Sequence, residues 1–171
     1  MEFTNEPLTI EQLPQFEHVP LHPLNASYAK IVALQALGFD LALLLVACFV
    51  YVKADDFSSI EALFFWGGSL VCVGLIAVMM YFSYRKKAYA FREHDVLFQY
   101  GIIATNTKII PYNRVQHVAL HEGFLSRNFG LAQVEIYTAG VHGGDIKIPG
   151  ILKDDAERIK QLLMGKIQKE L

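Results

Sequence analysis

The chain has 171 residues, of which 53% are apolar, and its mean hydropathy of +0.31 is too high for an ordinary soluble domain. It is also too short for a multi-span transporter. The formal net charge of −2 hides an asymmetry. Residues 1–29 carry four Glu and no Lys or Arg, whereas residues 85–171 hold 13 basic and 9 acidic side chains. The positive charge therefore lies in the C-terminal half.

Residues 1–29 are predicted to form an extended N-terminal segment. Four prolines oppose a long helix there: Pro7, Pro14, Pro20 and Pro23. The scattered Leu, Phe and Val side chains are too numerous for a fully disordered tail, so we expect the segment to lie on the membrane surface or on the C-terminal domain. The acidic start, without a following apolar run, also predicts that no signal peptide is cleaved.

Residues 30–84 are predicted to form a transmembrane helical hairpin. Residues 31–52 include only Gln35 and Asp40 as strongly polar side chains, and at ~1.5 Å per residue they span roughly 33 Å, enough to cross a bilayer. Residues 62–84 carry no charge and form a slightly longer run. The short loop between the two runs makes the helices antiparallel neighbours.

Two further features of the hairpin support this prediction. Aromatic side chains gather at its ends, as expected for interfacial anchors: Tyr28, Tyr81, Phe82 and Tyr84 at one end, and Phe49, Tyr51, Phe57, Phe64, Phe65 and Trp66 at the other. Small residues that would let helix backbones approach closely are Gly38, Ala42, Gly67, Gly68 and Gly74.

A basic cluster directly follows the second span and comprises Arg85, Lys86, Lys87 and Arg92. The opposite loop holds one Lys and three acidic residues, so the charges follow the positive-inside rule. Both termini are therefore predicted to be cytoplasmic. The cluster is also a candidate site for anionic lipid headgroups, at about 1 kcal/mol for each basic residue, although topology alone explains it.

Asp40 is the acidic residue of the first span. A carboxylate near the middle of a membrane helix costs ~2.5–3.5 kcal/mol on insertion scales, so such residues face protein, water or a partner. Asp40 lies roughly 13 Å from the cytoplasmic end of its helix, at the depth of Leu75, where the second helix offers no polar side chain. Two interpretations stay open: a neutral, tolerated carboxyl group, or contact with a polar group on another membrane protein or another copy.

Residues 85–171 are predicted to form a cytoplasmic domain of short strands closed by a helix. The predicted strands cover residues 87–92, 96–104, 108–111, 114–122, 131–139 and 145–149. Residues 123–129 are predicted to form a short helical or irregular crossing, and residues 140–144 a glycine-rich loop. A terminal helix is predicted from apolar residues on one face: Leu152, Ala156, Ile159, Leu162 and Leu163. These elements indicate a small α+β barrel or curved sheet plugged by the helix.

Residues 114–140 have the sequence RVQHVALHEGFLSRNFGLAQVEIYTAG, in which Arg-Val-Gln-x-Val is followed by Gly-x-Leu-x-Arg-x-x-Gly-Leu and Thr-Ala-Gly. This pattern resembles the bacterial membrane-flanked domain, also called the bacterial PH-like domain of the second type. The match extends upstream through AYAFREHDVLFQYGIIATNTKIIPYNRV and downstream into Ile-Pro-Gly and the acidic helix start. With its hairpin, the chain is similar to the short YdbS-like members, over most of residues 28–163.

The resemblance implies a PH-like barrel with a C-terminal capping helix, held at the bacterial inner membrane by the hairpin. It implies no enzymatic activity, and it suggests that short members act as partners of larger relatives with several copies of the domain. Within the motif, Arg114 and Arg127 are candidate contacts for a lipid phosphate or a partner carboxylate. The alternative is that they pair with Glu122 or Glu135 inside the domain.

The sequence shows no recognisable catalytic or metal-binding constellation. His117 and His121 share one face of a predicted strand, but no Cys accompanies them in this domain, so surface or hydrogen-bonded histidines are expected. The glycines of residues 140–144 lack the Lys-Ser or Lys-Thr of a phosphate loop. We therefore predict a protein that is not an enzyme and that uses no cofactor or metal. Nucleic-acid binding is not expected either, since aromatic stacking sites are not interleaved with the basic residues.

Two functions compete at this point. The first is a membrane-anchored binding or assembly module, whose partner is a membrane protein with repeated PH-like domains or a second copy of the chain. The alternative is a sensor that binds anionic lipid headgroups at the cytoplasmic membrane surface through the basic cluster.

The predicted topology can be tested with a reporter enzyme that is active only outside the cytoplasm. The reporter should be active when fused near Asp56 and inactive when fused at Leu171, because the loop is placed outside and the C-terminus inside. Reporter activity in intact cells is the measurement. The reverse pattern would overturn the orientation.

Overall fold

The computed structural model describes residues 19–53, 59–139 and 144–170. Two long helices form an antiparallel hairpin: α1 (Tyr28–Lys53) and α2 (Ser59–Arg85). Each contains one of the predicted spans and extends it at both ends. By length and composition, both are apolar enough to cross a membrane, with mean hydropathies of 2.3 and 2.2.

The surface of the hairpin is apolar over most of its length. Residues that are more than half exposed include Leu37, Phe39, Leu41, Leu45, Phe49, Leu63, Phe64, Leu70, Val71 and Leu75. In a water-soluble protein a continuous apolar surface of this kind would be covered, because each Å² left in water costs about 25 cal/mol. Aromatic pairs join α1 and α2 at both ends, with ring centroids 5.9 Å apart for Tyr28–Tyr84 and 5.8 Å apart for Tyr51–Trp66.

Two antiparallel sheets and a terminal helix follow the hairpin. The first sheet has the order β1-β2-β3-β4, with β1 (His22–Pro23), β2 (Ala88–Phe91), β3 (Asp95–Tyr100) and β4 (Asn106–Pro111). A short 3-10 turn (Tyr112–Arg114) leads to the second sheet, β5-β6-β7, with β5 (Val115–His121), β6 (Leu131–Thr138) and β7 (Ile146–Leu152). The two remaining helices are α3 (Phe124–Asn128), between β5 and β6, and α4 (Lys153–Glu170).

Both sheets and α4 enclose one core. Its fully buried members include Val96 of the first sheet, Val134 and Ile148 of the second, and Ala156 and Leu163 of α4. The helix therefore closes the domain as the sequence predicted. Ala156, Ile159 and Leu163 of the predicted face are confirmed as core contacts. The prediction was wrong for Leu152, which is the last residue of β7, and for Leu162, which is half exposed, and it missed Ile167, which packs against the core.

Several strand boundaries also differ from prediction, and the structure adds one strand that was not predicted. The strand predicted over residues 96–104 ends at Tyr100, because Gly101 adopts a φ of +117° that turns the chain. The last strand continues to Leu152 rather than ending at residue 149. The N-terminal segment contributes β1, which pairs with β2. Its described part, residues 19–27, thus lies on the domain, while residues 1–18 lie outside the described residues, as does most of the predicted loop at 140–144.

Tyr28 joins the hairpin to the domain. Its ring packs on Gly150 of β7, whose φ of +67° lies in the left-handed region, and a Cβ added to Gly150 would lie 2.7 Å from Tyr28 Cγ. The Asn25 N–H donates a hydrogen bond to the Gly150 carbonyl at 3.0 Å. Since Tyr28 also contacts Tyr84, the first turn of α1 is fixed between α2 and β7.

The substitution Gly150→Ala should destabilise the protein by about 1–3 kcal/mol, because an L-residue is strained at this φ and its Cβ would clash with Tyr28. The measurement is the thermal unfolding midpoint of the full chain in detergent. Gly165→Ala is the matched control, since a Cβ at Gly165 in α4 meets nothing within 4 Å, and alanine is favoured there by about 1 kcal/mol. An unchanged midpoint for Gly150→Ala would contradict this description of the joint.

Candidate functional site

A groove between α1 and α2 contains Asp40. This hairpin groove has a volume of about 280 Å³ and is lined by Ala29, Val32, Ala33, Ala36, Leu37, Asp40, Ala77 and Tyr81. The second helix therefore presents Ala77 and Tyr81 to the groove, two and six residues closer to the domain than the Leu75 level expected from depth. Neither residue supplies a partner: Asp40 Oδ1 is buried and has no hydrogen bond among the residues that the structure describes.

No polar side chain of the described hairpin donates a hydrogen bond to Asp40 Oδ1. The Tyr81 hydroxyl accepts a hydrogen bond from Arg85 Nη1 at 3.3 Å, and the Arg85 guanidinium lies 5.8 Å from the centroid of the same ring. Farther along α2, the Ser69 hydroxyl donates to the Phe65 carbonyl at 2.8 Å. The Tyr81 hydroxyl keeps its own proton, but it makes no hydrogen bond to Asp40 Oδ1 in this structure, so Oδ1 is left without a donor from the described hairpin.

The glycines of the hairpin do not mediate contact between its own helices. A Cβ added to Gly38, Gly67, Gly68 or Gly74 would meet no atom within 4 Å. The sequence suggested these residues as points of close helix packing, whereas the structure leaves them facing open space. Small residues of this kind are typical of faces on which a further membrane helix can pack.

A second cavity lies between the two sheets of the domain. This inter-sheet cleft has a volume of about 450 Å³ and is lined by Tyr28, Lys87, Phe98, Tyr100, Lys108, Gln133, Asp145, Ile146, Lys147 and Pro149. Three lysines come from three separate strands or strand ends. Lys108 Nζ donates to the Asp145 carbonyl at 3.1 Å, and Lys147 Nζ lies 3.5 Å from Glu135 Oε1.

Lys87 differs from the other two lysines of the cleft. It is half-buried, and desolvation by burial lowers the pKa of its ammonium group. The structure shows no ion pair for Lys87 within the described ranges. An anion placed in the cleft would offset this desolvation, because an opposite charge within about 4–6 Å favours the ammonium form.

The structure divides the predicted basic cluster. Arg85 and Lys86 are exposed at the end of α2, and Lys87 lines the inter-sheet cleft. Arg92 lies at the opposite end of β2, where its Nε donates to Asp95 Oδ1 at 2.6 Å. Arg92 is therefore an ion-paired residue of the β2–β3 turn and does not join the other three.

Arg114 and Arg127 are both exposed, and they lie on different elements. Within the described residues neither forms an ion pair with Glu122 or Glu135, which pair instead with Lys153 at 2.9 Å and with Lys147. Arg127 lies on α3, which contacts α1. Both arginines are thus available to a ligand or partner, but the structure does not bring them together.

The histidines that the structure describes do not form a shared site. The ring of His117 stacks on Tyr137 with centroids 4.2 Å apart. No three His, Cys, Asp or Glu side chains converge on a possible metal position in the part of the chain that the structure describes.

Sequence reasoning missed most of the inter-sheet cleft. Lys108 and Lys147 lie on strands of different sheets, and only the packing of the sheets brings them to Lys87. Lys108 pairs with Phe98 across β4 and β3, and Phe98 also lines the cleft. No short-range pattern in the sequence carries that information.

Comparison with known proteins agrees with the resemblance seen in the motif. The family model described as "Bacterial PH domain" matches residues 29–167. The chain is also similar to the "UPF0699 transmembrane protein YdbS" of Bacillus subtilis (strain 168), with 35% identity over 94 residues, which are 54% of this chain and 55% of that protein. The match thus spans about half the length of this relative.

No solved structure matches the chain. From its motif, its two long apolar helices and the family match, the chain is a membrane protein that belongs to the bacterial PH domain family.

Proposed function

We propose that this protein is a non-enzymatic assembly module of the bacterial inner membrane, which joins another membrane protein through its helical hairpin. The observation that carries the proposal is the buried, unpartnered Oδ1 of Asp40 in the hairpin groove. The partner we propose is a transmembrane helix that presents a hydroxyl, amide or basic side chain at the depth of Asp40.

Energetics favour an occupied groove over an empty one. A carboxyl group at this depth costs ~2.5–3.5 kcal/mol on insertion scales, and lipid chains offer it no hydrogen bond. A donor on a partner helix would stabilise the complex by supplying that bond. Four alanines line the groove, so the backbone of a partner helix could approach closely.

The proposed orientation places both termini in the cytoplasm. Residues 19–27 pair with the domain through β1, and Tyr28 contacts Tyr84, so the N-terminal end of α1 and the C-terminal end of α2 are on one side. The basic residues Arg85, Lys86 and Lys87 favour the cytoplasm for that side. The PH-like domain would then face cytoplasmic partners and lipids.

The substitution Asp40→Leu should abolish the association with the partner, because it removes the acceptor. The measurement is the stoichiometry of co-purifying membrane proteins when the tagged full chain is extracted from its native cells in mild detergent. Asp40→Asn, which keeps an oxygen acceptor, should retain part of the association. Gln35→Leu is the matched control, since Gln35 is the other strongly polar residue of the span and is exposed outside the groove.

Retention of the same stoichiometric partner by Asp40→Leu would contradict the proposal, as would a wild-type protein that purifies as a lone monomer. Two differently tagged copies, expressed together, identify the case in which the occupant is a second copy. Loss of association in both Asp40→Leu and Gln35→Leu, with a lowered unfolding midpoint, would show damage to the hairpin rather than to a contact.

A second candidate function is the binding of an anionic headgroup in the inter-sheet cleft. Lys87 favours it, because its ammonium group is half-buried without an ion pair in the described structure and lies two residues beyond the end of α2. Two further lysines and the Tyr28 and Tyr100 side chains line the same cleft. A phosphate is the anion that such a set of donors suits.

Lys87→Gln should weaken the binding of phosphatidylglycerol about tenfold, which corresponds to the loss of one charge-assisted hydrogen bond. Native mass spectrometry of the detergent-solubilised full chain, titrated with the lipid, gives the dissociation constants. Lys86→Gln is the control, because it removes the same charge from the neighbouring exposed residue. Equal weakening by both variants would indicate diffuse surface charge and would exclude a site at Lys87.

A further inference from the structure

We propose that α3 and the β3–β4 loop, residues 101–105, form one bilayer-docking surface that inserts Phe124 and Ile103 into the interfacial region of the membrane beside the hairpin. These are the two most exposed large apolar side chains of the described domain, at 82% and 98%, whereas the next, Leu162, is 48% exposed. The proposal requires only that the hairpin crosses the membrane, and it does not depend on a protein partner.

The position of α3 follows from its contact with α1. The buried side chains of α1 are Ile31, Val32 and Ala36, all within its first three turns. The domain therefore covers only the beginning of α1, and α3 lies beside the part of the helix that enters the membrane. This places Phe124 at the level of the membrane surface.

Phe124 and Arg127 are three residues apart on α3, so they lie on neighbouring positions of one helix face. Both are exposed. An aromatic ring directed into the membrane beside a guanidinium at phosphate level is the arrangement that interfacial helices use. The face therefore matches a bilayer in both its apolar and its charged part.

The position of the β3–β4 loop follows from strand register. Ala88 pairs with Gln99 and is separated from α2 by only two residues, so β3 ends and the loop begins at the end of the sheet where α2 enters. The loop is a tight turn rather than a frayed one, because a Cβ at Gly101 would lie 2.0 Å from the Ala104 carbonyl oxygen. Ile103 is held at its tip.

The bilayer is the occupant that the structure favours for this surface. Both elements lie at the hairpin end of the domain, since α3 contacts α1 and the β3–β4 loop begins at the end of the sheet that α2 enters. A membrane around the hairpin would therefore be close to them. A protein partner would have to displace that lipid. The surface thus continues the interface that the hairpin makes with the membrane.

The test uses the full chain in lipid nanodiscs, with both cysteines replaced through Cys48→Ala and Cys72→Ala. A fluorescent label is then attached through Ile103→Cys, Phe124→Cys or, as control, Glu93→Cys. Glu93 is exposed in the β2–β3 turn, at the opposite end of the same sheet from Ile103. Lipids brominated near the headgroup should quench most of the fluorescence at positions 103 and 124 and little at 93.

Introducing Phe124→Asp into the protein labelled at 103 should reduce quenching there, because the two points dock as one surface. Quenching at 103 and 124 no greater than at 93 would overturn the proposal. Quenching at 124 alone would overturn the two-point surface. A blue-shifted emission without bromolipid quenching would place a protein on this face instead and would also overturn it.

Discussion

The contact of Tyr28 with Gly150 is the constraint on which the rest of the arrangement depends. It joins the first turn of an apolar helix to the last strand of a small β domain, and it works because Gly150 has no side chain and adopts a left-handed φ. Hydrogen bonding of Asn25 to the same glycine and pairing of β1 with β2 hold the preceding segment in place. The domain is thereby fixed close to the hairpin instead of swinging on a linker.

Local patterns were sufficient to predict most of the elements. The apolar runs gave both long helices, since a bilayer requires about 20 such residues, and the repeated apolar positions gave α4. The sequence did not reveal β1, because a two-residue strand that includes Pro23 has no pattern of its own and exists only through β2. The prediction for the start of α4 was wrong for a similar reason. Leu152 has helical spacing with Ala156, but Leu152 pairs with Leu131 in the sheet and is therefore the last residue of β7.

The candidate sites divide in the same way. Asp40 was recognisable from sequence, since a carboxylate is anomalous in an apolar run. Its lack of a hydrogen-bond partner was not, because that depends on which residues of α2 lie opposite Asp40 in the folded hairpin. Lys87 was seen only as part of a charge cluster. Its distinct environment arises because Lys87 lies in the short connection between α2 and β2, where its side chain lines the cleft between the sheets. Arg92, at the other end of β2, instead forms a hydrogen bond with Asp95.

The two proposed binding sites share the first turns of α1. Tyr28 lines the inter-sheet cleft, while the next residue, Ala29, and then Val32 line the hairpin groove. A helix bound at Asp40 and an anion bound at Lys87 would thus act on the same short stretch of backbone. Coupling between two such sites is reciprocal, so lipid that favoured assembly would itself be bound more tightly in the assembled state. The joint at Gly150 would transmit such coupling, because it ties this stretch to β7, which carries Lys147 and Pro149 of the cleft wall.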